Sequence, residues 1–164
     1  ANSCRKIANH GRLSKYDHDL EGRNSRLDGL QAAILDVKLA YLDAWIEKRI
    51  RNARVYLDEL DRVGDLILPI RQVWAKQAYH LFVIRTSRRD ELQTYLSKNN
   101  VQTGIHYPIA LPRLKAYEHM GQANDEMFSS HVGDSLLSLP IGEHLSIENI
   151  KSVINLIKGF YHQN

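Results

Sequence analysis

The sequence predicts a mixed α/β fold, and three observations predict it. Apolar residues recur at helical spacing through most of residues 25–63. Tyr79-His80-Leu81-Phe82-Val83-Ile84-Arg85 concentrates β-branched and aromatic residues, as strands do. A helical pattern over 88–98 and a second strand-like run over 101–107 follow it, so strand, helix and strand succeed one another in a compact unit.

Taken in order, residues 1–24 are polar and broken by Gly11 and Gly22. They offer too little apolar surface to fold alone, and a loop held by another domain or subunit is expected. Ser25 is expected to cap the next helix, with Asp28 as the acid of a capping box. Leu27, Leu30, Ile34, Val37 and Tyr41 then share one face. A second set, Ile46, Ile50, Ala53, Leu57 and Leu60, runs to about Val63 with its phase shifted, which predicts a break near Leu42-Asp43. Gly64 ends that helix, and Leu66-Ile67-Leu68 before Pro69 is a short strand candidate.

After the strand over 79–85, Ser87 is expected to cap a helix with Leu92, Tyr95 and Leu96 facing inward, followed by a turn at Asn99-Asn100. Pro108 stops the strand over 101–107. Short helical pieces follow near 114–119 and 127–136, and Leu137-Ser138-Leu139-Pro140 is extended. Ser146 caps a closing helix with Ile147, Ile150, Val153, Ile154 and Ile157 on one face.

Composition narrows the function classes. With 43% hydrophobic and 25% charged residues the chain reads as folded rather than disordered. No apolar run is long enough to cross a bilayer, and Ala1-Asn2-Ser3-Cys4-Arg5-Lys6 has no signal-peptide core. The start without Met points to a longer natural sequence. Cys4 has no disulfide partner, and no Cys/His cluster has zinc spacing, so a reducing, cytoplasmic setting and no metal are expected. The net charge of +3 is mild, and basic residues alternate with acids, as in Arg88-Arg89-Asp90-Glu91. Neither nucleic acid nor a membrane is an expected partner.

Few residues could carry chemistry, and no nucleophile motif or glycine-rich phosphate loop is present. Gly22-Arg23-Asn24 at the mouth of a helix fits an anion site, though by pattern alone an ordinary helix start is the better reading. Thr103-Gly104-Ile105-His106-Tyr107-Pro108 brings an imidazole and a phenol to a strand end. Both can hydrogen-bond sugar hydroxyls or phosphates, and both equally suit an edge strand with a capping histidine. Arg5 and His10-Gly11 lie on the polar N-terminal stretch, where a solvated loop is the simpler reading.

Read together, these motifs resemble the pyridoxal-phosphate (PLP)-dependent nucleotide-sugar aminotransferases of the DegT/DnrJ/EryC1/StrS type. The resemblance spans nearly the whole chain. It rests on His10-Gly11, on Gly22-x-Asn24-x-Arg26-Leu27-Asp28-x-Leu30-Gln31-Ala32-Ala33-Ile34-Leu35 with Lys38-Leu39, on the strand over 79–85, on Thr103 to Pro108 and on Leu137-Ser138-Leu139-Pro140. It implies an α/β fold in which residues 1–45 close a PLP fold-type-I large domain with an interface loop and helix. Residues 46–164 would form the small C-terminal α/β domain with its connecting helix. It also implies a homodimer with shared active sites, a nucleotide-linked keto-deoxysugar substrate and glutamate as amino donor, in amino-sugar and lipopolysaccharide synthesis.

By the same resemblance Asn24 reaches the cofactor phosphate of the neighbouring subunit, while His106 and Tyr107, with Arg5 and His10, meet the nucleotide sugar. No lysine sits in the family's Schiff-base setting, so no catalytic residue is assigned, and the chain alone is expected to be inactive. A PLP-dependent sugar dehydratase of the same family, or a fragment serving only as a dimerisation and substrate-lid module, is the alternative. One departure stands out. After Pro108 the chain reads Ile109-Ala110-Leu111-Pro112, without the second proline and histidine common in the family, consistent with a different sugar or nucleotide.

Overall fold

Helical periodicity yields burial only where a partner surface exists, and here that condition divides the chain. In a computed structural model, which describes residues 1–162, the chain forms two units, Ala1–Asp43 and Ala44–Asn164.

The first unit contains helix α1 (Asn2–Ala8), a loop, and helix α2 (Gly29–Leu39). Helix α1 is a correction to the irregular segment expected there. Its closing carbonyls are paired by the returning chain: Lys6 O accepts from Gly11 N, Ile7 O from Arg23 N and Ala8 O from Ser25 N, at 2.7, 2.7 and 2.9 Å. Backbone pairing thus satisfies the helix end where apolar burial does not. The loop returns so tightly that a Cβ on Gly22 would lie 2.0 Å from Gly11 N, and Gly11 itself has φ +80°. Both positions require glycine.

Asp28, not Ser25, caps α2. Its Oδ1 accepts from Gln31 N at 2.9 Å, whereas the Ser25 amide is spent on Ala8. The expected break falls between Leu39, where α2 ends, and Leu42, where helix α3 (Leu42–Glu59) begins. The apolar face of α2 is formed as expected, yet none of its residues is buried.

In the second unit α3 buries Ile50, Asn52, Ala53 and Tyr56. Strands β1 (Phe82–Arg85) and β2 (Leu136–Leu139) pair antiparallel, Phe82 opposite Leu139 and Arg85 opposite Leu136. Single bridges extend this ribbon on both edges, Ile67 against Arg85 and Gly104 against Ser138. The strands expected over 66–68 and 101–107 therefore shrink to one bridge each. Gly104 adds no side chain to the sheet, and two residues on, it is the His106 ring, not the backbone, that meets Ser138. Helix α4 (Arg89–Lys98) buries Leu92 and Leu96 between these segments.

Ser87 does not cap α4. Its amide and hydroxyl both go to Asp65, while Thr86 Oγ1 accepts from Arg88 N at 3.0 Å. The piece expected over 127–136 divides into helix α5 (Phe128–His131), a 3-10 turn at Gly133–Ser135 and the start of β2; that expected over 114–119 is a 3-10 helix, Lys115–Met120. Ser146 caps α6 (Ile147–His162) as expected: its Oγ accepts from Asn149 N at 3.2 Å and its amide donates to Asn149 Oδ1 at 3.0 Å.

Helices α3, α4 and α6 and the ribbon share one core, in which Tyr56, Leu60, Phe82, Ile84, Leu92, Leu96, Leu137, Ile150, Ile154 and Ile157 are fully buried. Each contributes about 1.5–3 kcal/mol by leaving water. Among the described residues no helix is long and apolar enough to cross a membrane, and no group of three residues is arranged to hold a metal ion.

Candidate functional site

The polar N-terminal unit is built around one backbone return. Asn9 bridges Asn24, and His10 N donates to Arg23 O at 3.1 Å. His10 is thereby held beside the Asn24 segment with φ +56°. Its carbonyl is 2.7 Å from His18 Nδ1. Lys6 pairs with Asp19 and Arg12 donates to Lys15 O, so the loop over 10–23 is cross-linked at several points. Arg5 is occupied differently: its Nη1 donates to Asn2 Oδ1 at 3.2 Å, and no bond brings it to Asn24.

Asn24 is exposed, and helix α2 starts only at Gly29. At that helix start the Gln31 amide is already taken by Asp28. What stands beside Asn24 is a cation. Arg26 Nε donates to Asn24 Oδ1 at 3.1 Å. The amide NH2 of Asn24 and the terminal nitrogens of Arg26 donate to nothing else among the described residues. The unspent NH2 of Asn24, whose oxygen is taken up by Arg26, suits a phosphate as a hydrogen-bond donor. Arg26 is in the motif but carried no role in the reading of the sequence. The signal was its spacing: in extended chain residues i and i+2 share a side.

The second group of expected residues lies in the other unit. His106 is half-buried, its Nδ1 2.9 Å from Ser138 Oγ on β2. Its ring folds over Gly104, where a Cβ would lie 2.6 Å from His106 Cε1. The glycine is thus needed for the imidazole to sit where it does. Tyr107 stands 72% exposed with its ring edge-on to His106, centroids 5.3 Å apart. A fixed imidazole beside an exposed phenol offers polar contacts to a sugar or phosphate at one edge of the ribbon. Ser138, which holds the imidazole, was legible only as part of an extended segment.

Taken as a whole, these units define a mixed α/β fragment that matches part of known sugar aminotransferase structures. It superposes on DesV of S. venezuelae, solved in complex with a ketimine intermediate, with a TM-score of 0.87 and 36% identity, covering 98% of this chain and 43% of that one. In sequence it is 42% identical over 160 residues to the erythromycin biosynthesis sensory transduction protein EryC1 of Saccharopolyspora erythraea, covering 97% of this chain and 44% of that protein. It is 37% identical over 161 residues to a dTDP-3-amino-3,4,6-trideoxy-alpha-D-glucose transaminase of Streptomyces venezuelae, covering 96% and 42%. The sequence profile of the DegT/DnrJ/EryC1/StrS aminotransferase family matches residues 1–158, and the chain belongs to that family. It spans less than half the length of these relatives.

Proposed function

We propose that this chain is the C-terminal portion of a PLP-dependent aminotransferase that acts on a nucleotide-linked keto-deoxysugar in amino-sugar and polysaccharide synthesis, with glutamate as donor. The observation that carries this reading is the family match over residues 1–158. A relative that bears the name of a dTDP-sugar transaminase, 37% identical over 96% of this chain, supports the substrate class. When bound, the cofactor supplies the electron sink that amino transfer needs.

This chain's own share is recognition. Asn24 offers an exposed amide donor, its oxygen held by Arg26, and such a donor suits the cofactor's phosphate. In a homodimer with shared active sites Asn24 serves the phosphate of the neighbouring subunit. The exposed apolar residues Leu30, Ile34, Leu35 and Val37 of α2 support an interface there, since leaving them in water is unfavourable. His106 and Tyr107 hold the nucleotide sugar, with Arg5 and His10 as further contacts. No Schiff-base lysine is assigned here, and on this reading the chain alone is inactive. The reading places the protein in the cytoplasm, where its free Cys4 stays reduced.

The test is made on the full-length protein. Addition of PLP should produce a visible Schiff-base absorbance, and glutamate with a nucleotide-linked keto sugar should yield 2-oxoglutarate and the amino sugar. Absence of the band after PLP addition counts against the aminotransferase reading. Asn24→Ala should weaken PLP retention about tenfold, the worth of a hydrogen bond to a charged group. Unchanged PLP affinity would remove Asn24 from the phosphate site.

A further inference from the structure

An asparagine side chain carries an acceptor oxygen and a donor NH2 in nearly the same shape, and a half-turn exchanges them. Which of the two faces outward decides whether the residue attracts or repels an anion. In the Asn24 segment that choice is made by a neighbour. The Arg26 guanidinium has five N–H donors and no acceptor, so only the amide oxygen can face it. Its Nε reaches Asn24 Oδ1 at 3.1 Å, which turns Asn24 Nδ2 away from Arg26. Asn24 lies in the bridge to Asn9, which holds its backbone. Together the bridge and the guanidinium leave the amide one orientation, NH2 outward, with positive charge beside it.

We infer that Arg26 is a positioning residue: it locks the Asn24 amide with its donor side outward and so makes Asn24 selective for the phosphate of the cofactor. The inference rests on the assignment of Asn24 to that phosphate. Without Arg26 the amide turns freely, and part of the population presents its oxygen to the anion. The effect is confined to phosphate recognition, because Arg26 is exposed and holds no core element.

The experiment compares full-length wild type with Asn24→Ala, Arg26→Ala and the double variant, by absorbance titration of the cofactor-free protein. Each protein is titrated with PLP and, separately, with pyridoxal, which forms the Schiff base but lacks the phosphate. Asn24→Ala should weaken PLP binding about tenfold and Arg26→Ala several-fold. The double variant should be no weaker than Asn24→Ala, because Arg26 acts through Asn24. Pyridoxal affinity should be the same in all four proteins.

If Asn24→Ala weakens PLP binding and Arg26→Ala does not, the inference is overturned while the assignment of Asn24 stands. Additive losses in the double variant, or equal losses for pyridoxal and PLP in Arg26→Ala, overturn it as well. PLP affinity unchanged by Asn24→Ala removes the assignment and the inference together.

Discussion

Asp65 is an exposed residue that accepts four hydrogen bonds, from Thr86 Oγ1 at 2.6 Å, Tyr161 OH at 2.7 Å, Ser87 N at 2.7 Å and Ser87 Oγ at 2.6 Å. Partial burial alone would raise its pKa. The donors from Ser87, Thr86 and Tyr161 more than offset that and hold the carboxyl well below the usual carboxylate range. The folded value therefore lies below the unfolded one of about 3.9, so ionised Asp65 stabilises the fold above that pH. The contribution is lost as pH falls from there through the folded value. Asp65→Asn should accordingly lower Tm at pH 7, by a margin that shrinks as pH is taken below about 4. Thermal unfolding across that range checks it, and a margin independent of pH would show that ionisation is not the cause. Tyr161, in the same cluster, shifts the other way. Burial, with the Asp65 carboxylate beside it, pushes its phenol up to about 12. Its stabilising effect is present below about pH 10 and is lost as pH rises through the folded value.

Among the elements, the helix ends and their ties to loops decide the local stability. Asp28 and Ser146 each satisfy an amide of a first turn that has no partner within its helix. Ser146→Ala should cost about 1 kcal/mol of stability, measured by denaturant unfolding, and Asp28→Ala about as much from α2. Arg49 on α3 joins segments distant in sequence. Its Nη2 and Nε donate to Glu143 Oε2 at 2.7 and 3.1 Å, and its Nη1 donates to Ile141 O at 2.8 Å and Tyr79 O at 3.3 Å. The fork of a guanidinium makes these bonds at once, and a lysine ammonium cannot. Arg49→Lys should therefore destabilise the second unit by about 1–3 kcal/mol. A change within error would show that solvent serves those carbonyls as well.

For the whole molecule, the two units differ in what holds them. The second has a core of fully buried aliphatic and aromatic side chains contributed by α3, α4, α6 and the ribbon. Truncating one of them, Ile154→Ala, should cost about 2–5 kcal/mol, the range for a buried isoleucine that leaves a cavity. The first unit rests on backbone hydrogen bonds and the Lys6–Asp19 ion pair, with α2 burying nothing. Residues 44–164 alone should then unfold cooperatively with nearly the Tm of the full sequence, whereas residues 1–43 alone should show no cooperative transition by circular dichroism. A non-cooperative 44–164 would mean that its core depends on the preceding residues.

What was legible in the sequence was whatever local chemistry decides. Periodicity marked α2, α3, α4 and α6, the β-branched run marked β1, and Ser146 marked the start of α6, because those signals act over a few residues. The motif around Asn24 and the pair His106-Tyr107 were visible as residue types at a given spacing. Tertiary structure decided the rest, through pairings between residues far apart in the chain. Helix α1 is completed by the strand-like return at 22–25, and Ser87 gives up its expected cap to Asp65, 22 residues earlier. The strand expected over 101–107 is reduced to its one bridge with Ser138, which also holds His106 in place. At Asn24 the two are mixed: its amide oxygen is taken by Arg26, a close neighbour in the chain, while its backbone is held by the bridge to Asn9 across the loop. Sequence by itself determined which polar groups the proposed function assigns to a phosphate and a sugar. The His106 ring and the Asn24 backbone are held by contacts whose two partners meet only when the chain has folded.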